Sequence, residues 1–229
     1  MINTHYVLGL DPGQATDPTA AVLLEIDPHN DAPYQVRGLH RFPLGTPYTE
    51  LPAAIKRPLA SDQLRGKTTL AIDATGVGVP VVDHFRAELP DTPIYAITIT
   101  AGNTATGTSK NPHVPKRDLI STAMVAFEQR RIRIAANMND TETLRDELLA
   151  YRRSSSDHGN DTYGAASGSH DDLVLALALS LWLTENRRLA RPQHKYRSQA
   201  EQLAKWRIPG VDDMLRSNYR NIYNFNPNF

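Results

Sequence analysis

Short apolar runs separated by turn-forming residues occupy the first third of the chain and predict β-strands. Three such runs cover residues 5–10, 20–26 and 35–42, and the first ends at Asp11-Pro-Gly13, a typical turn. The link between the second and third runs, residues 27–33, is rich in turn formers. We therefore expect the three strands to form an antiparallel meander.

From residue 48 onward, segments with helical spacing alternate with further strands. The predicted helices are residues 48–59, 79–89, 116–130, 141–151 and 171–188, and the predicted strands are residues 68–72, 94–99 and 131–135. Two polar segments, residues 100–115 and 154–169, are predicted to be loops. This order predicts an α/β fold in which an antiparallel meander and then parallel strands form one mixed sheet with helices on both faces.

The amino-acid composition excludes several classes of function and leaves the predicted fold unchanged. The 229 residues include no cysteine, which excludes a disulfide scaffold, a thiolate zinc site and a cysteine nucleophile. The longest apolar run, residues 173–183, is too short to span a bilayer, and the polar N-terminus has no signal-peptide core. We expect a soluble protein of the cytoplasm that is not secreted.

Charge is balanced overall, with 25 basic and 25 acidic residues, but it is unevenly distributed. Residues 184–229 hold 9 Lys and Arg against 4 acids, a net charge of +5, so residues 1–183 carry a net charge of −5. We expect a catalytic domain over residues 1–190 and a basic, aromatic-rich tail over residues 191–229. Such a tail suits a nucleic-acid backbone or a partner surface, or it packs on its own domain.

Acidic residues stand at the ends of three predicted elements. Asp11 ends the first strand, Asp73 ends the strand at residues 68–72, and Asp171 and Asp172 begin the most apolar helix. Carboxyl ends of parallel strands line the functional crevice of an open α/β sheet. Clustered carboxylates repel one another unless a cation offsets them, and oxygen-only ligands suit Mg²⁺ or Mn²⁺. A pair of such ions about 3.5–4 Å apart is the arrangement used for phosphoryl transfer.

Four blocks of sequence together resemble the nuclease domain of phage large terminase subunits. The blocks are Gly9-Leu-Asp-Pro-Gly13 with Asp17-Pro-Thr-Ala-Ala21, Ala71-Ile-Asp-Ala-Thr-Gly-Val-Gly78 with Val81-Val-Asp83, Lys116-Arg-Asp-Leu-Ile120, and Ser169-His-Asp-Asp-Leu-Val174. They stand in the family's order between residue 8 and about residue 183. Each block alone is weakly specific, whereas the ordered set is fairly specific.

The resemblance implies a ribonuclease H-like fold and a two-metal endonuclease that cuts concatemeric viral DNA during genome packaging. It implies that Asp11, Asp73 and Asp172 are the catalytic, metal-binding triad, with Asp11 shared by two ions. Asp17 and Asp171 would be accessory metal ligands. The implied partners are double-stranded DNA and, within the packaging machine, an ATPase motor, a small terminase subunit or a portal, in the cytoplasm of the host cell.

The motor itself has no counterpart in this sequence. Its phosphate loop has the form G-x-x-x-x-G-K-[ST], but Gly66-Lys67-Thr68 has Ser61 where that loop needs its first glycine. The chain is therefore expected to be an excised nuclease domain or a stand-alone nuclease of this type.

Further residues are candidates for contact with DNA. Lys116, after the long polar segment, could bind the scissile phosphate or an acidic ligand, and His170 could influence Asp171 or touch DNA. Arg131 and Arg133 would share one side of a strand and could bind phosphates. Each of the four has an alternative role as an ordinary surface or capping residue.

Other functions are compatible with parts of this pattern. A RuvC-like junction resolvase would have the same fold and metal chemistry. The strands ending at Asp11 and Asp73 could also be the phosphate strands of an actin-like ATPase or sugar kinase, although 229 residues leave little room for a second full domain. A non-catalytic packaging module would have no need to gather carboxylates at one edge.

Overall fold

The computed structural model describes residues 4–13, 16–156 and 170–187, with the backbone alone for residues 151–156. The strands are β1 (His5–Asp11), β2 (Ala20–Ile26), β3 (Tyr34–Arg41), β4 (Thr68–Asp73), β5 (Ile94–Thr100), β6 (Thr106–Gly107), β7 (Pro112–Pro115) and β8 (Ile132–Ile134). The helices are α1 (Leu51–Leu59), α2 (Gly78–Glu88), α3 (Lys116–Glu128), α4 (Thr141–Ser156) and α5 (Asp172–Asn186).

The strands form one mixed sheet in the order β6-β7-β5-β4-β1-β2-β3-β8. The first three strands pair antiparallel, which confirms the predicted meander. Strands β4, β5, β7 and β8 each join a neighbour in parallel. Since β2 and β6 are the strands that run in the opposite direction, β1, β3, β4, β5, β7 and β8 all end at the same edge of the sheet.

Helices cover both faces of the sheet, as predicted. One core contains the apolar residues of α3, α4 and α5 against alternate positions of the central strands. The second core contains those of α1 and α2 against the intervening positions. Because side chains alternate along a strand, each central strand contributes to both cores.

Helix α5 is the central support of the larger core. Residues 172–184 of this 15-residue helix are all buried, and the helix packs against β1, β2 and β4 on one side and α3 and α4 on the other. An apolar surface on all sides is typical of a helix enclosed within a protein core.

Within the described part of the chain, no helix is long and apolar enough to cross a bilayer.

A glycine allows α5 to approach the sheet closely. A Cβ atom placed on Gly9 of β1 would lie 1.9 Å from the backbone oxygen of Ala176 and 3.2 Å from Cβ of Ser180. The contact is with helix backbone, so no side-chain rotation could relieve it. Gly9 therefore fixes the spacing between β1 and α5.

A β-bulge in β3 determines which of its side chains face α5. Leu24 pairs with Val36, but Leu23 pairs with Gly38, so Arg37 is an extra residue without a partner in β2. The bulge shifts by one residue the alternation of side chains between the two faces of the sheet. After the bulge, Arg41 therefore lies on the same face as Val36, the face that packs against α5. In a continuous register His40 would occupy that place.

Three parts of the predicted secondary structure differ from the observed one. Residues 100–115, predicted to be a loop, contain the short hairpin of β6 and β7. Helix α4 extends to Ser156, into the other predicted loop, whose residues 157–169 lie outside the described part of the chain. Helix α1 begins at Leu51 because residues 48–50 form turns ahead of Pro52. The predicted tail, residues 191–229, also lies outside the described residues.

Replacing Gly9 by alanine tests the close packing of α5 on β1. We expect Gly9→Ala to lower the free energy of unfolding by about 3 kcal/mol, at the upper end for overpacked cores, because helix backbone would have to move. Gly76→Ala is the matched control, since an added Cβ there meets nothing within 4 Å. Chemical denaturation measures both variants, and equal stabilities would contradict the role given to Gly9.

Candidate active site

Neighbouring strands bring Asp11 and Asp73 side by side at the carboxyl edge of the sheet. Leu10 of β1 pairs with Ile72 of β4, so the next residue of each strand is an aspartate. Val7 and Ala71, at alternate positions of the same strands, belong to the core that contains α5. Both carboxylates therefore point to the α5 side of the sheet. Their positions at strand ends agree with the sequence prediction.

Three neighbouring carboxylates affect the ionisation of Asp11. Burial raises its pKa well above the ordinary range, and the negative charges of Asp73, Asp171 and Asp172 raise it further. Lys116 acts in the opposite direction. Asp11 thus lies within electrostatic range of all three other carboxylates and one cation.

The turn after β1 is fixed by a buried threonine. The backbone N–H of Gly13 donates to Oγ1 of Thr19 at 3.1 Å, and that hydroxyl donates to the Gly13 carbonyl at 2.8 Å. A Cβ on Gly13 would lie 2.1 Å from the Asp17 carbonyl oxygen. The two hydrogen bonds therefore tie Gly13, two residues after Asp11, to Thr19 next to the start of β2.

Asp73 is held by Thr75. Its Oδ1 accepts the Thr75 backbone N–H at 2.8 Å and also the Thr75 hydroxyl. That hydroxyl in turn accepts the N–H of Ile99 in β5 at 2.7 Å. Burial raises the pKa of Asp73, whereas the bonds from Thr75 and the charge of Lys116 lower it. The carboxylate is thereby tied to the neighbouring strand.

The two acids that begin α5 have different partners. Asp171, the residue before the helix, receives the Lys116 ammonium at 2.9 Å between Nζ and Oδ2. Of the two predicted targets of Lys116, the structure shows the acidic one. Asp172 is only 3% exposed. Arg41 donates two hydrogen bonds to the Asp172 carboxylate, from Nε to Oδ2 at 2.7 Å and from Nη2 to Oδ1 at 2.6 Å.

A fifth acid, Glu147 of α4, completes the start of α5. Its Oε2 accepts the backbone N–H groups of Leu173 and Val174 at 3.0 and 3.1 Å, while Oε1 lies 3.5 Å from Nη2 of Arg41. Burial raises the pKa of Glu147 to about 8, and the charge of Asp172 adds to the shift. Glu147 therefore caps a helix to which it does not belong.

Two other predicted site residues lie beside this cluster and not within it. Asp17 is exposed, and its Oδ1 lies 3.1 Å from Nδ1 of His170. The His170 side chain is itself 45% exposed and contacts Asp17. Its predicted role, an effect on Asp171 or contact with DNA, stays a prediction. This pair joins the turn after β1 to the segment before α5 at the rim of the site.

Arg131 is not available for phosphate contact, which corrects the prediction made for it. The residue is 7% exposed, its Nη2 donates to the Tyr34 hydroxyl at 2.6 Å, and its Nη1 lies 2.7 Å from Oε1 of Glu185. The guanidinium also stacks 4.8 Å from the centre of the Tyr34 ring. Arg131 is a structural residue at the far end of α5.

Arg133 is also remote from the acidic cluster. It pairs with Gln35 near the start of β3, whereas Ala20, which pairs with Asp11, lies opposite Arg41 at the end of β3. Six residues of strand separate these positions, about 20 Å. The arginine beside the acidic cluster is therefore Arg41, and a phosphate bound by Arg133 would lie far from the carboxylates.

The donor chemistry fits a hard divalent cation. Every candidate ligand is a carboxylate oxygen, and the raised pKa of Asp11 marks an excess of negative charge that a cation would offset. In the described residues, no three acidic or histidine side chains already converge on one point as a preformed metal cage. Instead, Asp171 and Asp172 each face a basic side chain from a neighbouring element.

Sequence reasoning missed Arg41, Glu147 and Thr75. Glu147 was detectable, because it follows Leu144 by three residues and precedes Leu148, which places a charge on the buried face of α4. Arg41 was not detectable, since its orientation depends on the bulge at Arg37. Thr75 acts through a hydrogen bond to another strand, which local sequence does not reveal.

A mixed, helix-flanked sheet whose edge gathers carboxylates from two strands and a helix has the architecture of a ribonuclease H-like domain. A profile of the terminase RNaseH-like domain family matches residues 8–182, most of the chain. The chain belongs to this family and is a terminase-type nuclease domain. This result favours the terminase interpretation over the resolvase and actin-like alternatives.

Solved structures of terminase nucleases resemble the chain. The large terminase nuclease from thermophilic phage G20c with bound magnesium is 23% identical, with a TM-score of 0.51 over 78% of this chain and 80% of that one. The human cytomegalovirus terminase nuclease domain, soaked with manganese, is 14% identical, with a TM-score of 0.48 over 78% and 82%. The first likeness confirms the ribonuclease H-like fold. No curated protein sequence gives a significant match.

The raised pKa of Asp11 predicts a measurable dependence of stability on pH. Because the folded state holds the Asp11 proton more tightly than the unfolded state, this residue costs stability increasingly as pH rises above about 4. We expect Asp11→Asn to melt several degrees above wild type in EDTA at pH 8, since roughly 1 kcal/mol shifts the Tm by 2–4 °C. The difference should shrink towards pH 4.

Asp17→Asn is the control for this measurement, because Asp17 is exposed at the rim. Thermal melts across the pH range should leave that variant close to wild type. If Asp11→Asn is no more stable than wild type at pH 8, Asp11 does not carry the electrostatic cost assigned to it.

Proposed function

We propose that this chain is a DNA endonuclease that hydrolyses phosphodiester bonds with two divalent ions, Mg²⁺ or Mn²⁺. Asp11, Asp73 and Asp172 hold the ions, and Asp171 is an accessory ligand. The observation that supports this best is the position of Asp11, whose pKa responds to all three other carboxylates. Asp17 is left out of the ligand set, because its side chain is 65% exposed and contacts His170.

Each carboxylate is oriented by a group from another element. Thr75 directs Asp73, Arg41 directs Asp172 and Lys116 directs Asp171. An ionised carboxylate has about four lone-pair positions, so Asp172 can keep both bonds to Arg41 and still offer oxygen to a cation. Hydrogen-bonded carboxylates of this kind are typical of protein metal sites.

Bound Mg²⁺ or Mn²⁺ would activate the attacking water and neutralise charge on the phosphate. The chain itself contributes the carboxylates that would hold the ions and the side chains that orient those carboxylates. Lys116 offsets negative charge on Asp11 and Asp73 as well as on Asp171. The Lys116 side chain is 29% exposed, so it can also meet an incoming phosphate.

The substrate we infer is double-stranded DNA, cut to leave 5′-phosphate and 3′-hydroxyl ends during packaging of a viral genome. Family membership and the magnesium bound in the G20c relative support this inference. An ATPase motor, a small terminase subunit or a portal would be the partners in that process. The reaction would take place in the cytoplasm of the host cell.

Plasmid cleavage tests the proposed activity. We expect the 229-residue chain to nick and linearise plasmid DNA in Mn²⁺ or Mg²⁺ and to be inactive in EDTA. Asp73→Ala should lower the rate roughly 100-fold or more, as removal of a group that stabilises transition-state charge does elsewhere. Asp17→Ala, an exposed acid at the rim, should cut at a rate close to wild type.

Two results would contradict the proposal. Cleavage that survives EDTA would exclude divalent-ion chemistry, and equal cutting by Asp73→Ala would remove that carboxylate from the site. A marked preference for four-way junctions over linear duplex would instead indicate the RuvC-like alternative.

A further inference from the structure

Helix α5 begins without a cap of its own. Asp171 occupies the N-cap position, where an aspartate usually accepts an N–H from the first turn, yet its side chain makes no such bond. Its carboxylate instead receives Lys116. The free N–H groups of the first helical turn must therefore find acceptors elsewhere.

Glu147 supplies that acceptor from α4. One of its oxygens receives both the Leu173 and the Val174 N–H, the two donors that an N-cap side chain normally satisfies. The residue is 6% exposed, so water does not compete for these bonds. Because Glu147 caps the helix, both acids at its start keep their oxygens for other partners.

Arg41 connects this cap to the acidic site. Its guanidinium lies between Glu147 and Asp172, at 3.5 Å from the first and 2.6 Å from the second. A further acid, Asp140, accepts the backbone N–H of Arg41 at 3.3 Å and fixes the end of β3. The bulge at Arg37 places Arg41 on this face, so the network depends on a specific backbone irregularity.

We propose that Glu147 and Arg41 are positioning residues of the metal centre, which hold the start of α5 and the Asp172 carboxylate in the geometry that a divalent ion requires. This inference rests on the proposed function, because it presumes that a metal binds beside Asp11. In this proposal neither residue is a metal ligand. Their effect passes through the α5 backbone and the Asp172 side chain.

Variants of Glu147 separate the reach of this side chain from its carboxyl group. Glu147→Gln keeps an oxygen at the same distance, so it can still accept the two N–H groups. Glu147→Asp keeps the carboxyl group but is one methylene shorter, so we expect it to lose these two bonds. Glu185→Ala is the matched control, because Glu185 forms a similar network with Tyr34 and Arg131 at the other end of the same helix.

Mn²⁺ affinity is measured by calorimetry on the full chain, together with amide hydrogen exchange at Leu173 and Val174 in EDTA. We expect Glu147→Ala and Glu147→Asp to lose 10–100-fold in Mn²⁺ affinity, as for other outer partners of metal ligands, with Glu147→Gln and Glu185→Ala within about threefold of wild type. Exchange at the two amides should accelerate in the same two variants only.

The outcomes are distinguishable. Absence of Mn²⁺ binding to the wild-type chain would overturn the proposed function and this inference together. Normal binding by wild type with unchanged binding by Glu147→Asp, or an equal loss in Glu185→Ala, would overturn the positioning role alone. If Glu147→Ala does not fold, the Gln and Asp variants still decide the question, because each preserves most of the side chain.

Discussion

Mutual repulsion of carboxylates at one edge of the sheet is the constraint around which this domain is built. Asp11, Asp73, Asp171 and Asp172 lie close enough to disturb the ionisation of Asp11, which is a cost that folding must offset. Lys116 and Arg41 offset part of it by pairing with the two acids of α5. The remaining excess is what a divalent cation would offset under the proposed function, at a cost in stability when no cation is bound.

Rigid attachment of α5 is the second requirement. Gly9 lets the helix backbone rest directly on β1, and Glu147 closes the first turn from α4. At the other end, Glu185 is held by Tyr34 and Arg131. These contacts hold α5 at both ends and against β1, and they therefore fix the start of the helix, where Asp171 and Asp172 lie, relative to the sheet.

Sequence patterns predicted the parts of this arrangement that depend on local order. Strand alternation and turn residues located β1, β2 and β4 within a residue, and therefore Asp11 and Asp73 at strand ends. The partners of these acids depend on tertiary contacts. Arg41 reaches Asp172 because of a bulge, and Arg131 is buried because α5 ends beside β3 and β8. Charge clustering in the sequence reveals neither of these contacts.

Diffraction from crystals soaked in Mn²⁺, recorded at the manganese absorption edge, tests the central claim most directly. We expect two anomalous peaks about 3.5–4 Å apart, both in contact with the Asp11 carboxylate, as in two-metal phosphoryl-transfer sites. Asp73 and Asp172 should complete the ligands, with Arg41 still bound to Asp172. Peaks that avoid Asp11, or a metal bound only at the Asp17–His170 rim, would contradict it.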